Sequence, residues 1–131
     1  MFDAEPLIAH ADDELGAEYV AKLLNAVESG DRGGYASQTT IAEVRCVLAR
    51  NHDRALRRVP RLARHHRCRT GRHRRCLAAD CRYVLRYSPA LGDAVALATA
   101  ERLGAVLVVG GDDDYDEVAD VPLERFRDGA D

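Results

Sequence analysis

Apolar positions follow two spacings along this chain. From Leu15 to Ser29, Ala17, Val20, Leu24 and Val27 recur at a helical repeat, and Gly30 supplies a stop. Ala105 to Val109 is instead a continuous apolar run, the pattern of a strand buried on both faces of a parallel sheet. Pro6 suits the first turn of a short helix over PLIAHAD. Gly33-Gly34 is a turn leading to a short strand at Tyr35-Ala36-Ser37. Thr40-Ile41-Ala42-Glu43 has the form of a capping box opening a helix that runs to about Arg50, with Ile41, Val44, Val47 and Leu48 inward.

Asp53 to Arg64 puts Leu56, Val59 and Leu62 at helical spacing, although Pro60 interrupts it, and Leu77 to Leu85 is helical again. Ser88-Pro89 reads as an N-cap with proline at the first helical position of a small-residue helix ending at Leu103-Gly104. Val121 to Leu123 is a short final strand. Met1-Phe2-Asp3 has the character of a strand end with only two residues ahead of the acid, so that strand is either short or begins upstream. Helices alternating with short strands predict an α/β layered fold with a mainly parallel sheet, and 131 residues predict one domain.

The charge distribution adds a division that the apolar pattern does not show. Arg50 to Arg86 carries thirteen of the nineteen basic residues and two acids, about +11, whereas the remainder carries about −14. Lys22 is the only lysine. An acidic, lysine-poor surface suits solubility at high salt and points to a halophilic or GC-rich source. No apolar run reaches membrane-spanning length and no leader pattern opens the chain, so the expected location is the cytoplasm, away from membranes. Four cysteines in such a chain are expected as free thiols or metal ligands.

Candidate chemistry lies in acids at strand ends and early helix turns: Asp3, Glu43, Asp93 and the run Asp112-Asp113-Asp114. In open parallel sheets ligands bind beyond the carboxyl ends of the strands, where Asp3 and Asp112 fall. Carboxylates gathered there repel one another unless a cation lies between them. An all-oxygen set favours Mg²⁺ or Mn²⁺, which can activate water and stabilise charge during attack on a phosphodiester. Each acid also has a purely structural reading. Glu43 could complete the capping box, Asp93 could answer the dipole of its helix, and Asp112 to Asp114 could form a solvated turn.

Taken in order, FDAEPLIA, SQTTIAEV, SPALGDAVALATA and LVVGGDDDYDE resemble the PIN-domain ribonucleases, most closely the VapC-type toxins of toxin–antitoxin pairs. The resemblance covers about 1–50 and 83–127, and the last helix–strand–acid block is its most specific part. It implies a three-layer fold with helices flanking the sheet, and a Mg²⁺- or Mn²⁺-dependent endoribonuclease. It further implies a homodimer neutralised by a small antitoxin. Carried over by position, Asp3, Glu43, Asp93 and Asp112 are the catalytic acids, with Asp3, Asp93, Asp112 and Asp114 as metal ligands. Two positions depart from the family pattern. Gly110 stands where Thr or Ser is usual, removing a hydroxyl that would help to position the last acid, and Tyr115 stands where Phe is usual.

The segment from 53 to 82 does not fit. It admits three readings: an arginine patch for RNA, a zinc site, or text read out of frame. The first draws on clustered arginines that neutralise phosphates, and Arg50 and Arg86 at its borders are the RNA-binding candidates. The second would use His65, His66, Cys68, His73, Cys76 and Cys81, whose spacing fits no regular pattern. The abrupt compositional change favours the third, which resequencing the gene and translating every frame would test. Beside the toxin stand two alternatives: an RNA-processing nuclease of the same fold and a non-catalytic RNA-binding module.

Overall fold

A computed structural model describes residues 1–51 and 82–128. The expected helix over 53–64, the six zinc-ligand candidates and nearly all of the arginine-rich segment 53–82 lie outside the described residues. The described helices are α1 (Ala4–Ala11), α2 (Ala17–Glu28), α3 (Gln38–Asn51), α4 (described over 82–87) and α5 (Leu91–Leu103). The strands are β1 (Leu107–Val109) and β2 (Leu123–Arg125), with a 3₁₀ turn at Asp113–Tyr115.

The sheet is parallel throughout its described part. β1 pairs with β2 in the register Leu107↔Leu123, Val108↔Glu124 and Val109↔Arg125. Phe2 bridges Val108 on one side and Ala36 on the other, both in parallel sense. Its ladder is made by Phe2 N–H to Tyr35 O at 2.8 Å, Val108 N–H to Met1 O at 2.9 Å and Asp3 N–H to Val108 O at 3.0 Å. Phe2 therefore occupies the strand position between 36 and 108. The final strand starts at Leu123 rather than Val121, which is buried ahead of the pairing.

Side chains on a strand alternate between faces, and here that alternation divides the core in two. Phe2 and Val108 join Leu7, Val20, Leu24, Ile41, Val44, Leu48 and Phe126 beneath α1, α2 and α3. Met1, Leu107 and Val109 join Tyr83, Leu97, Tyr115, Val121 and the alanines of α5 on the other face. The result is the expected α/β arrangement, a parallel sheet between two helical layers. Ala94, Ala96, Ala98 and Ala100 are buried, so α5 approaches β1 with little side-chain bulk between them.

Two helix starts differ from expectation. Thr40 does not cap α3; Ser37 does, its Oγ accepting from the Thr40 N–H at 2.9 Å. The helix consequently begins at Gln38, and Glu43 lies a full turn beyond the capping box it was expected to complete. Ser88 is not an N-cap either. Its φ is +52° and its N–H donates to Val84 O at 2.9 Å, so it closes α4, and Ala90 becomes the residue before α5. Proline at 89 is compatible with both roles, since it bars continuation of α4 and needs no donor in the linker.

Candidate metal centre

β1 delivers the chain to the site and then stops. Gly110 and Gly111 follow it, and Asp112 is extended (φ −65°, ψ 131°) ahead of the 3₁₀ turn. The Asp112 carboxylate accepts from the Asp114 N–H at 3.0 Å, which folds the acidic run back on itself. Asp114 Oδ2 then faces the Ala90 N–H at 3.4 Å, at the start of α5. Asp93, three residues on and half-buried, enters the same space. One carboxylate oxygen from each of Asp93, Asp112 and Asp114 lies within 4.8 Å of the others.

Asp3 reaches this group from the neighbouring strand. It precedes α1 with φ −79° and ψ 177° and is 6% exposed. The hydroxyl of Tyr115, itself buried, donates to Asp3 Oδ2 at 2.9 Å. The same hydroxyl lies near Asp93 and favours its charged form. Tyr115 therefore gives buried Asp3 a donor that the usual phenylalanine could not supply.

Glu43 approaches from α3. Most of the residue is exposed, but its Oε2 lies against Gly92, where an added Cβ would sit 3.2 Å away. With Ser37 holding the cap, this carboxylate is free of backbone duty.

The electrostatics bear the mark of carboxylates assembled without compensating charge. Burial pushes Asp93 up to about 6, with the charge of Asp3 adding to the shift, the Tyr115 hydrogen bond opposing it, and Asp112 and Asp114 adding again. Burial also raises Asp3, against hydrogen bonds from Ala4 and Tyr115, with Glu43 and Glu5 contributing upward. Glu43 is raised by partial burial of its carboxyl and by Asp93. The Tyr115 hydroxyl is raised by burial and by the two acids it faces. An opposite charge placed among these groups would reverse the repulsive contributions.

The donor set fits a hard divalent cation. Three carboxylates with oxygens within 4.8 Å of one another, and no sulfur or imidazole among them, suit Mg²⁺ or Mn²⁺ rather than zinc. Asp3 and Glu43 stand outside that group of three and are coupled to it through Tyr115 and Asp93.

The hydroxyl missing at position 110 has a counterpart in space. A Cβ on Gly110 would fall 1.6 Å from Glu5 Oε2 and 1.9 Å from its Cδ, so the Glu5 carboxyl fills the volume of a side chain at 110. Glu5 Oε1 is held by Arg127 NH1 at 2.7 Å. Nothing in the sequence pattern joins residues 5 and 110; only the β1–α1 juxtaposition does. Tyr115 was visible as a departure, but its partner was not.

The arginine candidates are placed differently. Arg86 pairs with Asp120 at 2.8 Å and lies over the Tyr87 ring at 5.1 Å, turned toward the segment before β2. Arg50 is exposed, seven residues beyond Glu43 and so about two turns along α3 on nearly the same side. Among the described residues, no helix is long and apolar enough to cross a membrane.

A family model described as the PIN domain matches residues 1–121. Neither a curated protein nor a solved structure matches the chain.

Proposed function

The chain belongs to the PIN domain family, whose members are nucleases as a class, and from that premise we propose a divalent-metal-dependent endoribonuclease. The observation that carries the reading is the convergence of Asp93, Asp112 and Asp114 within 4.8 Å, with Asp3 near enough for its charge to act on Asp93. In this reading Asp93, Asp112 and Asp114 hold Mg²⁺ or Mn²⁺, and Asp3 completes the set from the adjacent strand end. When bound, the cation supplies Lewis acidity toward a phosphoryl oxygen and lowers the pKa of water. Glu43 lies outside the three-acid group with an exposed approach, and it takes the proton that the attacking water loses. The water oxygen bonds to phosphorus, the bond to the leaving ribose oxygen breaks, and that oxygen takes up a proton.

RNA as substrate, and a place as the toxin of a toxin–antitoxin pair, follow from the resemblance of the four acidic blocks. The same resemblance supports a homodimer and a small inhibitory antitoxin. Arg50, two turns from Glu43 along α3, is the better placed of the two arginine candidates to meet a backbone phosphate. Arg86 would first have to leave Asp120. The test is cleavage of end-labelled RNA in Mn²⁺, Mg²⁺ and EDTA by the unaltered chain and by an Asp3→Asn, Asp93→Asn double variant. Metal-dependent cleavage that survives in the double variant refutes the assignment. Growth arrest on expression, relieved by the same double substitution, separates a toxin from a processing nuclease.

A further inference from the structure

The loop that presents Asp112 and Asp114 begins with Gly110-Gly111, two residues with no side chain to anchor them. It crosses the end of the sheet, where the last β1 residue, Val109, is in register with Arg125 of β2. Arg125 is only partly exposed and spans the base of the loop. Its NH1 donates to the carbonyl oxygen of Gly110 at 3.2 Å and faces that of Asp112 at 3.4 Å, and its NH2 pairs with the Asp116 carboxylate. One guanidinium therefore holds three points on the seven residues from Gly110 to Asp116.

We propose that Arg125 is a positioning residue for the acidic loop, fixing Asp112 and Asp114 for the cation through its bonds to the Gly110 and Asp112 carbonyls. The chemistry suits arginine in particular. A planar fork with several fixed donors can bridge separated acceptors, whereas a lysine ammonium acts as a single point charge. Anchoring backbone carbonyls also leaves the Asp112 and Asp114 carboxylates uncommitted to the cation that secures their loop. The assignment rests on the metal-nuclease reading for its consequence, but not for its geometry.

The test uses Arg125→Gln and Arg125→Lys in the full chain, with two readouts that need no turnover. The first is NMR amide exchange in metal-free protein. In Arg125→Gln, the Asp114, Asp116 and Val118 amides, whose acceptors lie within the turn, should exchange about tenfold faster. The Val108 and Phe126 amides of the sheet should keep their rates. The second is Mn²⁺ affinity by the loss of the free-ion electron paramagnetic resonance signal, expected to fall about five- to tenfold, with Arg125→Lys recovering part of it. Asp116→Asn cuts the ion pair while sparing the carbonyl bonds, and should change both readouts by less than about twofold.

Unchanged loop exchange in Arg125→Gln overturns the proposal. So does acceleration of the sheet amides in step with the loop, which would make Arg125 a general support of β2. An Asp116→Asn variant that reproduces Arg125→Gln overturns the role given to the carbonyl bonds. If the unaltered chain binds no Mn²⁺, the nuclease reading fails, and the exchange rates still judge Arg125.

Discussion

Gly110 and Glu5 compete for one volume, and substituting them singly and together measures that competition. In Gly110→Ala the new methyl would lie 1.6 Å from Glu5 Oε2, so the carboxyl must retreat by roughly 2 Å to reach ordinary contact. Retreat breaks the 2.7 Å pair with Arg127, whose two side chains are about one-third exposed. A pair of that kind contributes up to about 1 kcal/mol, and an off-rotamer Glu5 adds about 0.5–1.5 kcal/mol. Arg127 keeps Glu14 at 3.5 Å, but its Nε is already buried without a partner. Against this, Gly110 is not among the glycines with positive φ, so alanine gains about 0.4–1 kcal/mol by restricting the unfolded chain. The net expectation is a loss of about 1 kcal/mol.

In a Glu5→Ala background nothing obstructs the methyl, and the same Gly110→Ala change should stabilise by about 0.4–1 kcal/mol. The substitution reverses sign with its background, giving a coupling of about 1.5–2 kcal/mol. Urea unfolding of the four chains in EDTA supplies the cycle, and any helix-propensity effect of the Glu5→Ala change cancels within it. Equal effects of Gly110→Ala in both backgrounds, to within about 0.5 kcal/mol, would refute the steric account. Glu5 would then be a surface acid that happens to lie over a glycine.

The acids themselves supply further expectations. Asp93 is pushed up to about 6 and Asp3 and Glu43 are also raised, so the folded chain binds more protons than the unfolded one across the weakly acidic range. Stability of the metal-free protein should therefore be greatest in acid and decline as pH rises through about 6, the opposite of a salt-bridged carboxylate. Melting curves between pH 5 and 8 check this, and Asp93→Asn should flatten the decline and raise Tm at neutral pH. Tyr115→Phe removes the donor to buried Asp3 and should cost about 2 kcal/mol without metal. Mn²⁺ should raise its Tm more than that of the unaltered chain, and an equal rise in both would refute the role of the hydroxyl in securing Asp3. Glu43→Gln should slow RNA cleavage about a hundredfold or more while Mn²⁺ affinity stays close to that of the unaltered chain, and parallel losses in both would make Glu43 a ligand instead.

What the sequence made legible follows from how local each signal is. The α2 repeat and the apolar run of β1 are local patterns, and both appear within a few residues of their expected limits. The alternation that sends Met1 and Phe2 to opposite cores was unreadable, because two residues carry no periodicity. Capping misled at Thr40 because Ser37, Thr39 and Thr40 all stand near the start of α3, and at Ser88 because a Ser-Pro pair also suits the end of the preceding helix. Only backbone conformation, such as the positive φ of Ser88, distinguishes a residue that ends one helix from one that begins the next. At the site, acids could be proposed from chain order. Their neutral neighbours could not, since Tyr115 meets Asp3 across 112 positions and Arg125 meets Gly110 across strand pairing.

These non-acidic contacts bear on how the acids are held close to one another. Five carboxyl groups gather near one sheet end, Asp3, Glu43, Asp93, Asp112 and Asp114, and three of them carry pKa values raised first by burial and then by the charge of their neighbours. Their restraints come from different directions: the Tyr115 hydroxyl from the α5 side of the sheet, and the Arg125 guanidinium from the strand edge. Neither supplies a full counter-charge to the carboxylate oxygens grouped at Asp93, Asp112 and Asp114. An arrangement held by hydrogen bonds and left without a full counter-charge would, in the proposed reading, let a divalent cation relieve part of the repulsion among these acids. A chain that had neutralised these acids internally would be more stable at neutral pH and would bind the cation less well.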